Sequence, residues 1–325
     1  MSRERFLTAT AVGLLLICFG IGAEAILFSP PGADAWYPVC SPSGSHCAFI
    51  MGGNRIWYGK TAGGKGAILV SPGGTILSLA FSPAGKQILF VTESAGKKEI
   101  HIADTATGTS RCIGEGNHPC WSPDGRNIAF ENSCGILVAG ADGTEPKLAA
   151  KTRGTSVVHS PCWLTGEDIF CVRDGDIVRT DSSGTTEAVV LKGAPPTHAF
   201  DEIYPSPAGR MILALLASGW NVTSVPRALV IDPAVKSEKE LGDRLQIRWS
   251  ADGRFLVSVI RGAVFLERPG EEKRRLTNGA LDETPFLSVT GELFFSSRRK
   301  DTNGDEVIDW RDHRQVYRLK TGTIP

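Results

Sequence analysis

An acidic segment near the end of the chain carries oxygen-bearing side chains at regular intervals. It reads DTNGDEVIDWRD and runs from Asp301 to Asp312. Ca²⁺ takes about six to eight oxygen ligands, and its binding loops supply them from positions 1, 3, 5, 7, 9 and 12, the seventh through a main-chain carbonyl. The spacing therefore predicts a calcium site whose ligands are Asp301, Asn303, Asp305, Val307, Asp309 and Asp312.

One residue departs from this calcium-loop pattern. Glu306 stands at the sixth position, where the sharp turn of such loops calls for glycine, and a non-glycine residue there costs about 1 kcal/mol. The alternative is a solvated acidic turn without a metal. Because the flanking segments 292–297 and 315–319 read as strands, we expect an insertion between strands and not a helix–loop–helix sensor. The predicted ion is structural, because the protein would fill six of its coordination positions.

Three common catalytic motifs are absent from the sequence. It contains no G-x-S-x-G nucleophile elbow, no HExxH zinc motif and no Walker A phosphate loop. Its six histidines are dispersed along the chain. His118 and His159 fall near the starts of predicted strands, where a histidine cluster could hold a metal. Histidines at strand ends with no such role are the favoured interpretation, since a fold by itself does not imply catalysis.

The elements that must position these residues come from a repeated pattern. Its clearest copy, PCWSPDGRNIAF, runs from Pro119 to Phe130, and six related copies recur at intervals of 38 to 44 residues. Periods of this size are typical of propeller blades, with one four-stranded sheet in each repeat. The turn glycines of the seven copies are Gly44, Gly85, Gly125, Gly166, Gly209, Gly253 and Gly291.

Each copy predicts a tight hairpin followed by a second one. In Ser-Pro-x-Gly, proline presets φ and glycine supplies the positive φ near the end of the turn. Segments such as 99–113 then read as strand, turn and strand. One blade cannot bury both faces of its sheet, so the core must lie between neighbouring blades. The sequence therefore predicts an all-β fold, a seven-bladed β-propeller with four-stranded antiparallel blades.

The ring must also close, because an open propeller would expose a sheet edge. The last repeat ends without a clear fourth strand. The segment AILFSPPG at 25–32 closely matches AILVSPGG at 67–74, which occupies the fourth-strand position of the first repeat. We therefore expect residues 26–29 to complete the last blade from the N-terminal side, and a single propeller to span residues 26–325.

The N-terminal 25 residues have the pattern of a targeting segment. Arg3 and Arg5 precede an apolar run at 6–21, and the Ala23-Glu24-Ala25 triplet fits a signal-peptidase site. Cleavage after Ala25 is the first interpretation, and an uncleaved membrane anchor at residues 6–23 is the alternative. Either one predicts an exported protein, periplasmic or extracellular, in which disulfides are permitted.

Cysteine and tryptophan side chains fall at equivalent repeat positions. Removal of residues 1–25 would leave seven cysteines, so at least one would be unpaired within the chain. Cys40 with Cys47, and Cys162 with Cys171, flank the turns of their repeats; Cys120 with Cys162 and unpaired buried thiols are the alternatives. We expect Trp121, Trp163 and Trp249 to pack blades together and not to form a ligand cage.

The pattern PCWSPDGRNIAF and its copies resemble the repeat of the TolB-like β-propellers, which are related to WD40-type propellers. The resemblance covers the propeller part only, and we expect no counterpart of the N-terminal domain of TolB. It implies an exported scaffold that binds proteins of the cell envelope; in peptidases of this kind the propeller instead lies beside a catalytic domain. The motifs are specific for the fold and not for the activity.

Charge and composition narrow the function further. The chain has 35 basic and 35 acidic residues, so it carries no electrostatic signal for nucleic acid. We predict a monomeric, non-catalytic, exported propeller that binds a protein or another cell-envelope component and contacts a membrane only through an uncleaved N-terminal segment. The alternative is a propeller-type lyase or hydrolase with its site at the central channel. Three or more histidines or carboxylates converging at the channel mouth would favour the enzyme.

Overall fold

The computed structural model describes residues 25–63, 66–193, 199–216, 227–243, 245–279, 281–299 and 312–321. Within these ranges the chain forms 28 β-strands in seven four-stranded antiparallel sheets. The predicted seven-bladed β-propeller is therefore confirmed. Helices long and apolar enough to span a membrane are absent from the same ranges. The predicted targeting segment at 1–25 lies outside them, except for Ala25.

The strands of each blade follow the chain order from the central axis outwards, and β1 (Ile26–Leu27) joins the last blade. Blade 1 comprises β2 (Ala35–Cys40), β3 (His46–Met51), β4 (Arg55–Lys60) and β5 (Ala67–Val70). Blade 2 comprises β6 (Thr75–Phe81), β7 (Gln87–Ser94), β8 (Lys97–Asp104) and β9 (Ser110–Glu115). Blade 3 comprises β10 (Asn117–Trp121), β11 (Asn127–Asn132), β12 (Gly135–Gly140) and β13 (Lys147–Lys151). Blades 4 and 5 comprise β14 (Val158–Thr165), β15 (Asp168–Arg173), β16 (Asp176–Asp181) and β17 (Glu187–Leu191); and β18 (Phe200–Pro205), β19 (Ile212–Leu216), β20 (Arg227–Asp232) and β21 (Ser237–Asp243). Blades 6 and 7 comprise β22 (Leu245–Trp249), β23 (Leu256–Ile260), β24 (Ala263–Glu267) and β25 (Arg274–Arg275); and β26 (Asp282–Leu287), β27 (Glu292–Ser297) and β28 (Gln315–Lys320).

The repeated serine and glycine make the turn between the first and second strands of a blade. In blade 3 the Ser122 hydroxyl accepts a hydrogen bond from the Asn127 amide at 2.9 Å, and the Gly125 amide donates to the Ser122 carbonyl at 2.9 Å. Gly125 has a φ of 71°, as the turn requires. The serine therefore satisfies the first amide of the second strand, and it is buried in the process.

The turn glycines also bring neighbouring blades together. A Cβ at Gly125 would lie 3.3 Å from Pro83 in the turn of blade 2, and one at Gly253 would lie 2.8 Å from the Ala208 amide nitrogen in blade 5. A Cβ at Gly44 would approach Val289 of blade 7 at 2.9 Å. The turns of blades 2 and 3, of blades 5 and 6, and of blades 7 and 1 are thus in contact.

The hydrophobic core lies between blades, as the repeat predicts. Seven clusters of buried apolar residues occur among the described residues, and each joins two neighbouring blades. Trp121 belongs to the cluster between blades 2 and 3, and Trp163 and Trp249 to two others. Their predicted role in blade packing is confirmed. The Trp121 indole also donates to the Ala80 carbonyl of the preceding blade at 3.4 Å.

The N-terminal strand closes the ring. Ile26 pairs with Arg318 and Leu27 with Tyr317, so β1 is the fourth strand of blade 7. Phe28 and Ser29 extend the contact, because both amides donate to the Val316 carbonyl, at 2.8 and 3.1 Å. The predicted closure is thus confirmed, although the paired strand covers 26–27 and the adjoining two residues contact β28 without belonging to the strand.

The seven cysteines in the described ranges are all free thiols. Cys40 and Cys47 are directly opposite each other on β2 and β3, as two residues flanking a hairpin turn can be. Cys162 instead pairs with Phe170, so Cys162 and Cys171 do not face each other across the hairpin. The turn of this blade is shorter, and the register is shifted around it, which explains the difference.

Candidate functional site

The first strands of the blades converge on the central axis of the propeller. First strands of adjacent blades contact each other, for example β10 with β14 and β14 with β18. Side chains from blades that are not adjacent in the ring also contact each other. His118 on β10 approaches Glu202 on β18, and the Arg248 guanidinium on β22 lies over the Tyr37 ring on β2. Contacts between non-adjacent blades locate these four side chains at the central channel.

One position of the repeat supplies most of these residues. This position lies four residues before the serine that begins the turn between the first and second strands. In blade 4, Leu164 stands in place of that serine. A polar side chain occupies it in every blade, whereas several of the neighbouring positions belong to the apolar core. We refer to these seven residues as the channel ring: Tyr37, Ser78, His118, Ser160, Glu202, Gln246 and Thr284.

Five members of the channel ring have a left-handed backbone. Each of them lies where the register between the first and second strands is interrupted. Such bulges redirect a side chain, and a positive φ in a non-glycine residue costs on the order of 1 kcal/mol. Strain of this kind is concentrated at functional sites in proteins. The five residues are Tyr37 (φ 58°), His118 (φ 45°), Ser160 (φ 52°), Gln246 (φ 50°) and Thr284 (φ 44°).

Amides exposed by the bulges are bonded to the preceding blade. The Tyr37 amide donates to the Thr284 hydroxyl at 3.3 Å, and the Thr284 amide donates to the Gln246 side-chain oxygen at 2.5 Å. The Ser160 amide donates to Glu131 Oε2 at 2.5 Å, and the Ser160 hydroxyl accepts from the Ile203 amide at 2.9 Å. These bonds fix the channel ring from blade 6 through blade 7 to blade 1, and from blade 3 to blade 5.

His118 lies between two carboxylates. Its Nδ1 is 2.9 Å from Glu131 Oε1, and its Nε2 is 3.7 Å from Glu202 Oε1. Burial disfavours the imidazolium, but the hydrogen bond and charge of Glu131 and the charge of Glu202 outweigh it, so the pKa of His118 is raised. Burial raises the pKa of Glu131, whereas His118 and the Ser160 amide lower it, and the net effect is a lowered pKa.

Tyr204 extends the cluster along β18. Its hydroxyl donates a hydrogen bond to Glu202 Oε2. Burial and the neighbouring Glu202 carboxylate raise the pKa of Tyr204, with a smaller contribution from Tyr37 and an opposing one from Arg248. The phenol therefore remains protonated and acts as a hydrogen-bond donor. With 39% of its surface exposed, Tyr204 is partly accessible to solvent.

Arg248 and Tyr37 are the residues that blades 6 and 1 contribute to the cluster. The guanidinium carbon is 3.8 Å from the centre of the Tyr37 ring, which is a cation–π contact. Tyrosine and arginine combine a large contact area with directed hydrogen bonds, and they are enriched at the energetically dominant positions of binding interfaces. The cluster thus presents the partly exposed Glu202 carboxylate as an acceptor and the Arg248 guanidinium as a donor.

The geometry of the cluster differs from that of a metal centre. Glu131 and Glu202 approach opposite nitrogens of the His118 ring, so their oxygens do not surround a single point. In the described part of the chain, the group of three potential ligands within reach of a single ion is Glu99, His101 and Cys112 on blade 2. The channel cluster is suited to binding polar groups and to holding a proton on His118.

Most of the predicted calcium ligands lie outside the described residues. These are Asp301, Asn303, Asp305, Val307 and Asp309. Asp312 lies within them, at the start of the segment leading into β28, and only 3% of its surface is exposed. Its carbonyl accepts a hydrogen bond from Arg298 Nε at 3.0 Å. The calcium site therefore stays a prediction.

The two histidines singled out in the sequence have different environments. His118 belongs to the channel ring, and His159 is the residue before Ser160 on β14, close enough to Glu131 to lower its pKa. Sequence reasoning missed Glu131, Glu202, Tyr204, Arg248 and Tyr37. A signal for two of them, Tyr37 and Glu202, was present, because they share the polar repeat position of the channel ring. Tyr204 and Arg248 also share a repeat position, two residues before the turn serine, but apolar residues or cysteine occupy it in the other blades.

The sequence matches no protein-family model, and no curated protein matches it significantly. Solved structures with the same architecture include oligogalacturonate lyase in complex with manganese, with a TM-score of 0.69 at 11% identity over 92% of this chain and 93% of that chain. TolB from Acinetobacter baumannii gives a TM-score of 0.51 at 17% identity over 88% of this chain and 63% of that chain. U3-55K gives 0.64 at 12% identity over 91% and 98%. Because identities this low establish the fold and not the activity, the chain is a seven-bladed β-propeller structurally similar to the TolB propeller and to oligogalacturonate lyase.

Proposed function

We propose that this chain is an exported, non-catalytic propeller that binds a protein or another cell-envelope component at its channel ring. The observation that supports the proposal is the convergence of Tyr37, His118, Glu202, Tyr204 and Arg248 from four blades. Their side chains are fixed by one another and by bulged backbones, so little conformational entropy remains to be lost on binding.

The chemistry of the cluster suggests which groups a ligand offers. Glu202 is 34% exposed and already accepts from Tyr204, so a ligand with an amide or ammonium donor adds to a preorganised acceptor. The Tyr37 ring and the Arg248 guanidinium provide a planar surface for an apolar or aromatic group. An extended peptide segment combines both kinds of group, which is why a protein ligand is favoured.

Site-specific cross-linking in the envelope tests this proposal. A photoreactive amino acid replaces Asp201, an exposed residue that directly precedes Glu202 on β18, and in a matched variant it replaces Ser183 in an outer turn of blade 4. We expect a discrete adduct from position 201 that is lost when Y37A and R248A are added. Equal adducts from both positions, or an adduct that survives the double substitution, would contradict binding at the channel ring.

A second candidate function is favoured by one observation. His118, Glu131 and Glu202 approach one another in the channel cluster, and a convergence of three such groups favours a propeller-type lyase or hydrolase. One structural neighbour is an oligogalacturonate lyase. Incubation with oligogalacturonate, with and without Mn²⁺, tests this reading through the absorbance of unsaturated products. Activity abolished by H118N would replace the non-catalytic proposal; no product under either condition removes this substrate.

We also propose that the segment 301–312 holds a structural calcium ion in blade 7. The side-chain spacing supports this, as does its position between β27 and β28, the strands that the N-terminal strand completes. Thermal melting with and without millimolar calcium is the test, and the matched variant is D305N. We expect a higher melting temperature with calcium that is lost in D305N, whereas no rise for the unmodified chain would contradict the site.

Export through residues 1–25 is likewise a proposal that rests on the sequence pattern. Cell fractionation of the full chain, followed by mass measurement of the protein recovered, distinguishes the two forms. We expect an envelope protein whose first residue is Ile26. A full-length envelope protein would favour the uncleaved anchor, and a cytoplasmic protein would contradict both.

A further inference from the structure

A second cluster of reactive side chains lies on blade 2, outside the channel ring. Glu99 and His101 occupy alternate positions of β8, so they project from the same face of the sheet. Cys112 on β9 is directly paired with His101. The three residues bring a carboxylate oxygen, an imidazole nitrogen and a sulfur within 4.8 Å of one another. They are therefore close enough to share one ion after small side-chain rotations.

The ligand types select the kind of ion. Thiolate, imidazole and carboxylate are the ligands of Zn²⁺, at about 2.3 Å for sulfur and about 2.0 to 2.2 Å for nitrogen and oxygen. Ca²⁺ and Mg²⁺ prefer oxygen ligands, so the sulfur of Cys112 does not suit them. Three protein ligands leave one tetrahedral position, and water has access to it because Cys112 is exposed.

Neighbouring side chains hold the cluster in this arrangement. The His101 ring stacks on Phe90 with centres 5.1 Å apart, and its Nε2 is 3.1 Å from the Thr92 hydroxyl and 3.8 Å from Glu99 Oε2. Lys97 binds the other oxygen of Glu99 at 3.0 Å, which keeps Oε2 on the histidine side.

We infer that Glu99, His101 and Cys112 form a zinc-binding site on the outer strands of blade 2. The ion takes up the thiolate, and the thiol proton passes to water. Zinc then joins β8 to the outermost strand β9 through side chains, in addition to the main-chain ladder. The site is independent of the proposed channel function and of the calcium segment, with which it shares no residue.

Cobalt substitution tests the thiolate ligand directly. The full chain, purified without a polyhistidine tag and kept reduced with a non-thiol reductant, is stripped of metal and titrated with Co²⁺. We expect a thiolate-to-cobalt charge-transfer band that saturates at one ion per chain, and displacement of the band by Zn²⁺. No band, or a band without a defined stoichiometry, would overturn the inference.

Matched variants separate the site from general metal binding. The control is C134S, because Cys134 is the other exposed thiol in the described residues and lies on a turn of blade 3. We expect C134S to retain the zinc affinity, and C112S and H101N to lower it by more than about tenfold in competition with a fluorescent chelator. E99Q provides a second ligand variant should H101N disturb folding. Equal affinities for C112S and C134S would exclude the site.

Discussion

His118 and Glu131 stabilise each other's charged forms over a limited pH range. Because the pKa of His118 is raised above its ordinary value of 6.5, its contribution to stability is fully present below that value and is lost as the pH rises through the raised pKa. Because the pKa of Glu131 is lowered from 4.5, its contribution is present above 4.5 and is lost as the pH falls through the lowered pKa. The pair is therefore intact between the lowered pKa of Glu131 and the raised pKa of His118.

Replacing Glu131 by glutamine tests this coupling. The substitution removes the main charge that favours the imidazolium, while the burial that disfavours it persists, so the pKa of His118 should fall. An NMR titration of the imidazole resonances measures the change. E283Q is the control, because Glu283 pairs with Arg298 on blade 7 at 2.7 Å and not with His118. A His118 pKa that is unchanged in E131Q would show that Glu131 is not its partner.

At the scale of the secondary-structure elements, the turn between the first and second strands recurs with a uniform geometry. All seven turn glycines have a positive φ, between 51° for Gly166 and 76° for Gly291. Their surroundings differ, however. A Cβ at Gly253 would lie 2.8 Å from the Ala208 nitrogen, whereas a Cβ at Gly166 would meet no atom within 4 Å. The first glycine serves conformation and blade contact, and the second serves conformation alone.

Alanine substitutions at these two glycines should therefore differ in cost. In G166A the only cost is that of an alanine with a positive φ, about 1 kcal/mol of unfolding free energy. In G253A the new Cβ also clashes with the backbone of the neighbouring blade, so this variant should lose about 2 to 4 kcal/mol. The free energy of unfolding in urea measures both. Equal losses in the two variants would mean that the turns of adjacent blades do not press on each other.

At the scale of the whole molecule, stability depends on joining the two ends of the chain. Phe28 packs edge-on against Trp57 of blade 1 and Phe294 of blade 7, with ring centres 5.7 and 5.3 Å apart. Arg314 adds an ion pair to Asp34 at 3.2 Å. The N-terminal segment thus bonds blade 7 through its strand and contacts blade 1 through a side chain, which is how it closes the ring.

Replacing Phe28 by alanine should weaken this closure. The partly buried ring loses its contacts with both blades, and we expect the free energy of unfolding to fall by about 2 kcal/mol. The control is I26A on the same strand, because the Ile26 side chain is 58% exposed and should cost less than about 0.5 kcal/mol. Thermal or urea unfolding distinguishes the two. Similar small losses would mean that β1 pairs with β28 without holding blades 1 and 7 together.

The fold could be predicted in detail because the sequence pattern of a blade recurs seven times. Ser-Pro-x-Gly, the apolar runs around it and the period near 41 residues specify a blade locally, and the likeness of 25–32 to 67–74 located the closing strand. The pairing of Cys162 with Phe170 could not be foreseen, because a one-residue shift in an irregular turn changes which side chains are opposite. Local patterns determine strands more firmly than they determine register.

The sequence by itself determined the architecture, the order of the strands and the position of closure, since each follows from a local pattern that repeats. Only the tertiary structure decided the candidate site. Glu131 and Arg248 belong to different blades, and they become part of one candidate site only because the blades meet around the central axis. Glu99, His101 and Cys112 likewise become neighbours only through the register of β8 with β9. The physical reason is that a scaffold is built from short-range preferences, whereas a site depends on distances between residues that are far apart in the chain.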